Sequence, residues 1–257
     1  MTLDGLARAM LRAAFRGRTI RRRLPASVGG AVVHVAPDSQ LKYLLPGPRG
    51  FDRALIRWAG RFVRDGDIVW DIGANSGVFT MAAAGLGASV LAVEPDPFLA
   101  DGLLRSRAAN SDLRVEVLAA AIADARGIAT LEIASGGRAA NALSAYAGNY
   151  LPFGQTIARV FVPTVPLDDL LAISVPSLVK IDIEGAEIAA LTGARRLLSE
   201  VRPTLIVEIA SEVWPEAVGI LGDAGYRLSD PDHPGREIHD PIFNVLATPA
   251  RGVDEPF

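Results

Sequence analysis

The stretch Val69–Thr80, VWDIGANSGVFT, leads from an apolar run through a turn into a helix-like segment. Asp71 ends the apolar run, and small or polar residues follow at alternate positions: Gly73, Asn75 and Gly77. An apolar run that is bounded by turn residues and followed by helical spacing predicts a strand, a turn and a helix. Turns that follow the strands of an open α/β sheet are where ligands bind. The stretch therefore predicts an α/β fold with a ligand site after this strand.

Strand-like and helix-like segments keep alternating after this stretch, which indicates an α/β fold with a mostly parallel sheet. Strands are expected at residues 67–71, 89–93, 114–118, 178–183, 204–209, 226–229 and 242–247. Helices are expected at residues 77–86, 97–110, 186–198 and 214–224. Only a turn-rich loop, residues 230–241, separates the last two strands, so the final strand is expected to be antiparallel.

The alternation is interrupted in the middle of the chain. Two β-like runs, residues 128–134 and 158–165, flank a segment rich in Gly, Ala, Asn and Tyr. We expect an inserted hairpin with a long loop at about residues 127–166, and long loops in compact domains are often functional. The chain then divides into an N-terminal basic helix with an extension, residues 1–50, and an α/β domain, residues 51–257.

Composition narrows the function classes. The 257 residues are 50% hydrophobic and carry a net charge of -3, without the basic excess that is typical of nucleic-acid-binding domains. A nucleic-acid partner is therefore not expected. The chain has no cysteine, which excludes disulfides and thiolate chemistry and is compatible with a reducing compartment. No apolar run reaches membrane-spanning length and no secretory signal pattern is present, so we expect a cytoplasmic location.

The N-terminus combines an apolar stripe with basic residues. Leu3, Leu6, Met10, Leu11 and Phe15 recur at helical spacing. The basic residues are Arg8, Arg12, Arg16, Arg18 and Arg21–Arg23. We favour an appended helix whose arginines are solvated, and peripheral contact with an anionic membrane or with a partner is the alternative.

The turn after Asp71 departs from the dinucleotide fingerprint. In G-x-G-x-x-G the glycines let the backbone approach a pyrophosphate, whereas this turn has fewer glycines and begins with a carboxylate. Glu94 ends the second strand about 20 residues later, where α/β nucleotide folds place an acid that binds ribose hydroxyls. The combination favours S-adenosylmethionine (SAM) over NAD or ATP.

Acidic residues end four of the predicted strands: Asp71, Glu94, Asp182 with Glu184, and Glu208. One such residue would be explained as a helix cap. Because the carboxyl ends of parallel strands meet at one edge of the sheet, four of them favour a site there.

Three segments resemble the FkbM family of SAM-dependent methyltransferases: Asp71–Gly77, VEP at Val93–Pro95, and LVKIDIEGAE at Leu178–Glu187. The first motif marks class I methyltransferases in general, and the KIDIEGAE string separates this family from its relatives. The likeness extends over about residues 67–249. It implies a SAM cofactor, a Rossmann-like, seven-stranded sheet with an antiparallel last strand, and a methyltransferase domain. It also implies methyl transfer to hydroxyl oxygens of small molecules such as sugars and polyketides.

By position, the resemblance assigns the amino-acid end of SAM to Asp71, Gly73, Asn75 and Gly77, and its ribose to Glu94. The adenine is expected to lie against Pro95, Asp96 and the segment around Ala121, residues 120–122.

The catalytic end is expected around Asp182. If residues 180–184 stay extended, Lys180, Asp182 and Glu184 share one face, with Asp182 at the strand tip beside the transferred methyl group and the cofactor. An alcohol needs a positioned base or a divalent cation to react at neutral pH. Asp182, Glu184 and Glu208 could supply the base or coordinate Mg²⁺. The alternative is structural: Glu184 caps the next helix, and Lys180 neutralises a neighbour.

Two further groups of residues are candidates near this end. His233, in the predicted loop after the sixth strand, is either a catalytic base or a solvated loop histidine. In the inserted loop, Asn141, Ser144 and Tyr146 are expected to shape the pocket of a small-molecule acceptor.

The sequence therefore favours a SAM-dependent O-methyltransferase that acts on a small molecule. An N-methyltransferase or a protein methyltransferase keeps the cofactor and changes the acceptor. A non-catalytic nucleotide-binding module and a NAD-dependent oxidoreductase are the alternatives from other classes. The last would need the dinucleotide fingerprint that the turn lacks.

Overall fold

The computed structural model describes residues 3–145 and 156–250 of the chain. The described helices are α1 (Leu3–Phe15), α2 (Arg53–Phe62), α3 (Val78–Gly85), α4 (Pro97–Ala108), α5 (Glu187–Thr192) and α6 (Trp214–Asp223). The described strands are β1 (Ile20–Arg23), β2 (Val32–Val35), β3 (Ile68–Ile72), β4 (Ser89–Val93), β5 (Val115–Leu118), β6 (Ala121–Ile122), β7 (Gly127–Ala134), β8 (Ala142–Leu143), β9 (Thr156–Val165), β10 (Leu178–Ile181), β11 (Thr204–Glu208), β12 (Tyr226–Asp230), β13 (His233–Glu237) and β14 (Asn244–Pro249).

The central sheet has the strand order β13-β12-β14-β11-β10-β3-β4-β5. Strands β11, β10, β3, β4 and β5 are parallel, and β14 runs antiparallel to both of its neighbours. Apolar side chains such as Trp70, Ile72 and Val179 are fully buried, as expected for a sheet covered on both faces. The α/β class and the antiparallel last strand are confirmed.

The sheet has eight described strands where seven were predicted. Residues 230–241 were predicted to be a loop, which is wrong, because β13 pairs with β12 at the edge of the sheet. A tight turn joins these two strands: the backbone N–H of Asp232 donates to Asp230 Oδ1 at 2.8 Å. The Pro and Gly residues of this segment masked a short edge strand, a position where both are tolerated.

The inserted hairpin is present. Strands β7 and β9 pair antiparallel along their length, and β8 and β6 flank them in a second sheet of order β6-β9-β7-β8. Leu131, Ile133, Leu143 and Val162 form its apolar core. Leu131 and Leu143 of this small sheet lie near the ends of the central strands, where the sequence predicts a site.

The N-terminal segment packs on the central sheet's helices, which the sequence did not reveal. Strands β1 and β2 form an antiparallel hairpin, and Val33, Val35 and Tyr43 share an apolar cluster with Phe79 of α3. The hairpin is also tied to α4, since His34 N donates to Ser106 Oγ at 2.8 Å. In residues 3–145 and 156–250, no helix is both long and apolar enough to cross a membrane.

Candidate functional site

A cavity of about 370 Å³ lies at the carboxyl ends of the parallel strands. Its lining includes a residue that follows or ends each of five strands: Gly73 after β3, Glu94 after β4, Ala120 after β5, Asp182 after β10, and Glu208 at the end of β11. This edge is where open α/β sheets bind ligands, and the volume lies within the range of small-molecule pockets. The cavity is thus the candidate active site.

The turn after β3 forms the middle of the cavity wall. Gly73 has φ 75°, and a Cβ at this position would lie 1.9 Å from the carbonyl oxygen of Asp182. Only glycine adopts this conformation readily and allows so close an approach. The N–H groups of Gly73 and Ala74 both donate to Val93 O, at 2.9 and 3.0 Å, which holds the turn against β4. Gly73 and Asn75 line the cavity.

Two other residues assigned to this turn lie behind it. Asp71 is fully buried and is absent from the cavity lining. Its Oδ2 accepts a hydrogen bond from Thr80 Oγ1 at 2.6 Å, and its Oδ1 lies 3.2 Å from Lys180 Nζ. Gly77 packs against Leu103, with φ 80° at the start of α3. Asp71 and Gly77 therefore support the turn from inside the fold, without facing the cavity.

Glu94 is 6% exposed and lines the cavity. Its two carboxylate oxygens accept hydrogen bonds from backbone N–H groups. Oε2 accepts from Asn75 at 2.8 Å, and Oε1 accepts from Asp96 at 2.9 Å. Burial raises the pKa of Glu94 to about 7, against the lowering effect of these two hydrogen bonds. Each carboxylate oxygen retains acceptor capacity toward the cavity.

Asp96 was predicted to border the adenine. In the structure its carboxylate accepts hydrogen bonds from other parts of the protein. Asp96 Oδ1 accepts the N–H of Phe98 at the start of α4, and Oδ2 accepts Arg138 and Asn141 side chains at 2.5 and 2.8 Å. The inserted hairpin is thereby fixed to the end of β4. Pro95 and Ala121 do line the cavity, and so do Arg138 and Asn141.

Lys180 links the strands β3 and β10. It is directly opposite Asp71 in the sheet register, and its Nζ lies 3.2 Å from Asp71 Oδ1 and 3.1 Å from Asp182 Oδ2. Burial alone would lower the pKa of Lys180, but the charges of Asp182 and Asp71 raise it above its ordinary value. Lys180 is therefore a buried cation that neutralises both neighbours, as the structural alternative had it.

Three carboxylates stand together at the β10–β11 side of the cavity: Asp182, Glu184 and Glu208. Burial and the charges of Asp182 and Glu187 raise the pKa of Glu184 to about 7. Burial and the charges of Asp182 and Glu184 raise the pKa of Glu208 to about 9. At neutral pH Glu208 is therefore protonated and can donate a hydrogen bond, while Glu184 exchanges its proton.

These carboxylates do not form a metal-binding group. Among the residues that the structure describes, no set of three or more His, Asp or Glu side chains is arranged to hold a metal ion. The prediction of a Mg²⁺ site gains no support.

Two predicted residues, His233 and Ser144, are not brought to the cavity. His233 lies on β13 with its side chain 73% exposed, and its Nδ1 is 2.9 Å from Asp230 Oδ2. Its assignment as the base rested on a loop that is in fact an edge strand. Ser144 Oγ donates to Glu132 Oε1 at 2.9 Å within the inserted sheet. Tyr146 lies outside the described residues.

Other residues complete the cavity without having been predicted. Gln40 and Asp52 come from the segment before β3, and Trp58 comes from α2. Phe243 and Asn244 come from the start of β14, where Asn244 is opposite Glu208 in the sheet. A polar residue in an irregular segment carries no periodic signal, so only the fold reveals that these residues reach the cavity.

A comparison with protein families identifies the chain. The model of the methyltransferase FkbM domain matches residues 71–228, which span β3 to β12 and include the strand ends around the cavity. The chain belongs to the FkbM methyltransferase family. The family is one of SAM-dependent methyltransferases, as the resemblance of the Leu178–Glu187 segment implied.

Solved structures similar to this FkbM chain include methyltransferases. Methyltransferase FkbM from Methylobacillus flagellatus KT is 20% identical, with 80% of this chain and 47% of that chain covered and a TM-score of 0.48. This chain thus spans about half the length of that relative. Precorrin-6y C5,15-methyltransferase from Geobacter metallireducens GS-15 is 14% identical, with 76% and 86% covered and a TM-score of 0.45. A search of curated proteins found no match to the FkbM chain.

Proposed function

We propose that the cavity binds SAM and that the enzyme methylates a hydroxyl oxygen of a small molecule. The observation that carries the proposal is the distribution of acidic groups in one cavity. Glu94 stands on its β4 side, and Asp182, Glu184 and Glu208 stand on its β10–β11 side. Since β3 lies between β4 and β10, the turn at Gly73 separates the two acidic regions.

The β4 side has the features that a nucleoside needs. Glu94 presents acceptors for the two ribose hydroxyls, a role that acids at this position have in α/β nucleotide folds. Pro95, Ala121 and Leu131 line the same side and offer an apolar surface for a base. We propose that Gly73 and Asn75 contact the amino-acid end, while Asp71 and Gly77 support the turn from behind.

An unpartnered polar atom also supports a ligand in the cavity. Gln40 lines the cavity, and its Oε1 is buried without a hydrogen-bond partner among the described residues. A buried acceptor without a partner costs about 1–3 kcal/mol. A ligand with an amine or hydroxyl group in the cavity would satisfy it, and SAM and an alcohol acceptor both carry such groups.

The β10–β11 side has the features that an alcohol acceptor needs. When bound, SAM supplies a methyl group on a sulfonium, which passes to the acceptor oxygen as its bond to sulfur breaks. Glu184 has a pKa of about 7, near the value at which a general base works best in neutral solution. We propose that Glu184 accepts the hydroxyl proton and that Glu208 donates a hydrogen bond to the acceptor. Asp182 would orient Glu184 and Glu208.

The cavity's outer parts favour a small acceptor. Asn141 and Leu143 of the insertion line the cavity together with Trp58 and Phe243. These side chains come from separate segments, and their convergence leaves a cleft of limited volume. An amine acceptor would also suit a carboxylate base, so hydroxyl and amine acceptors are compared directly in the test.

The experiment is a methyl-transfer assay with labelled SAM and a panel of sugars, polyketide-like alcohols, amines, a peptide and an RNA. The proposal expects labelled product from an alcohol, with the added mass located on oxygen, and the same rate after chelation by EDTA. Labelling confined to amines, peptide or RNA contradicts the assigned acceptor. Loss of activity in EDTA that Mg²⁺ restores contradicts the metal-free assignment of Glu184.

A further inference from the structure

Helix α1 carries its apolar side outward. Met10 is 66% exposed and Leu11 is 45% exposed, and Ala7 and Ala14 are exposed beside them. Spacings of three and four place these four residues on one stripe of the helix. In a helix appended to a domain such a stripe is normally buried against the protein, so its exposure here requires another explanation.

The other side of α1 faces the protein at Arg12. Arg12 is partly buried and lines a small cleft with Asp38 and Gly137. Directly after the helix, the N–H of Gly17 donates to Asp38 Oδ2 at 3.2 Å. With Arg12 in this cleft, Met10 and Leu11 lie at the surface.

Exposed arginines lie on α1 and directly after it, and Arg16 also lines the cleft that holds Arg12. Arg8 lies on α1, Arg16 and Arg18 follow it, and all three are exposed. Residues 1–50 contain nine Lys and Arg and two Asp, although the whole chain has a net charge of -3. An excess of positive charge thus lies in the N-terminal segment that carries the stripe, and the remainder of the chain has a net negative charge.

We propose that this α1 patch, formed by Met10 and Leu11 with Arg8, Arg16 and Arg18, docks on the surface of an anionic lipid bilayer. A helix with an exposed apolar stripe and flanking arginines lies in the interface, with its apolar side chains in the acyl boundary and its charges among the headgroups. A second copy of the chain fits less well, because pairing the same patch brings two sets of arginines together.

The arginines and the apolar side chains together determine the strength of this docking. Each arginine near an anionic surface is worth about a fivefold change in partitioning. Two large apolar side chains add a short-range component that salt does not screen. We therefore expect reversible binding that weakens as ionic strength rises, since the charges become screened.

The experiment is co-sedimentation of the full chain with vesicles of phosphatidylcholine, with and without phosphatidylglycerol. The protein is expected to sediment only with the anionic vesicles. Arg16→Gln with Arg18→Gln should lower the partition coefficient about 25-fold. Arg195→Gln with Arg236→Gln changes the net charge equally at exposed positions outside the patch, and this control should bind like the wild type.

The apolar component is tested separately with Leu11→Asp, and Ile128→Asp serves as its control because Ile128 is 79% exposed on β7. Circular dichroism and thermal unfolding show that each variant is folded. Three results overturn the proposal: no sedimentation with anionic vesicles, equal losses in patch and control variants, or a wild-type dimer that Leu11→Asp dissociates. The measurement needs neither SAM nor an acceptor, so its outcome is independent of the proposed methyl transfer.

Discussion

Lys180 Nζ lies 3.1 Å from Asp182 Oδ2, at the point where strand β10 ends and the cavity begins. The same ammonium group lies 3.2 Å from Asp71, which is fully buried under the cavity wall. One buried cation therefore connects a carboxylate that lines the cavity to one that lies behind its wall. This arrangement explains why the KID segment combines a basic and an acidic residue at alternate positions.

Removing the cation should destabilise the fold. Lys180→Met leaves the buried carboxylate of Asp71 without its counter-charge, which we expect to cost about 3–5 kcal/mol of unfolding free energy. Urea denaturation measures this loss. The double variant Lys180→Met with Asp71→Asn removes both charges, so it should recover a large part of the stability. A single variant as stable as the wild type would contradict the central position of Lys180.

The proton acceptor is tested through the pH dependence of turnover. Because burial and Asp182 raise the pKa of Glu184 to about 7 in the free protein, kcat/KM should increase as pH rises through this value and Glu184 loses its proton. Glu184→Gln should lower kcat by about 10²–10⁴-fold and abolish this limb. Glu212→Gln, at an exposed position, is the control. An unchanged pH profile in Glu184→Gln would assign the base to another group.

Glu208 should make stability depend on pH. The unfolded chain releases this proton near pH 4.5, whereas the folded protein holds it to about pH 9. The folded state binds more protons over this window, so the unfolding free energy falls as pH rises, by up to about 1.4 kcal/mol per pH unit. Glu208→Gln removes this dependence. Denaturation at several pH values should show the variant gaining on the wild type between pH 5 and 9; parallel curves contradict the buried, protonated state.

The glycine at the cavity wall can be compared with a matched glycine elsewhere. Gly73 and Gly66 both have positive φ, but a Cβ at Gly73 meets Asp182 O, and one at Gly66 has nothing within 4 Å. Gly66→Ala should therefore cost only the conformational penalty of about 1–2 kcal/mol. Gly73→Ala should cost more and also weaken SAM binding, since Asp182 must move. If Gly66→Ala and Gly73→Ala changed the melting temperature and the SAM affinity equally, the close contact of Gly73 with Asp182 O would have no effect of its own.

Much of the fold could be predicted from the sequence because it rests on local patterns. Strand β4 begins and ends at the predicted residues, Ser89 and Val93. Strand β13 was missed because Pro231, Pro234 and Gly235 favour a loop locally, and only pairing with β12 stabilises a strand there. The antiparallel last strand followed from topology, without any knowledge of side-chain contacts.

The site was predictable only at the strand ends. Glu94, Asp182 and Glu208 were found because parallel strands bring their carboxyl ends to one edge. The sequence could not distinguish Asp71, which faces inward to Lys180, from Glu94, which faces the cavity. Gln40 was missed because it reaches the cavity from an irregular segment far away in the chain.

The most direct test of the central claim is calorimetric titration of SAM into the wild type, Glu94→Gln and the exposed-site control Glu116→Gln. The account predicts one SAM site in the wild type and in the control, no binding of NAD, and an affinity about 10–100-fold lower in Glu94→Gln, which retains its fold. A glutamine cannot accept both ribose hydroxyls while it also accepts the N–H groups of Asn75 and Asp96. Binding of NAD in place of SAM, or equal SAM affinity in all three proteins, would contradict the account.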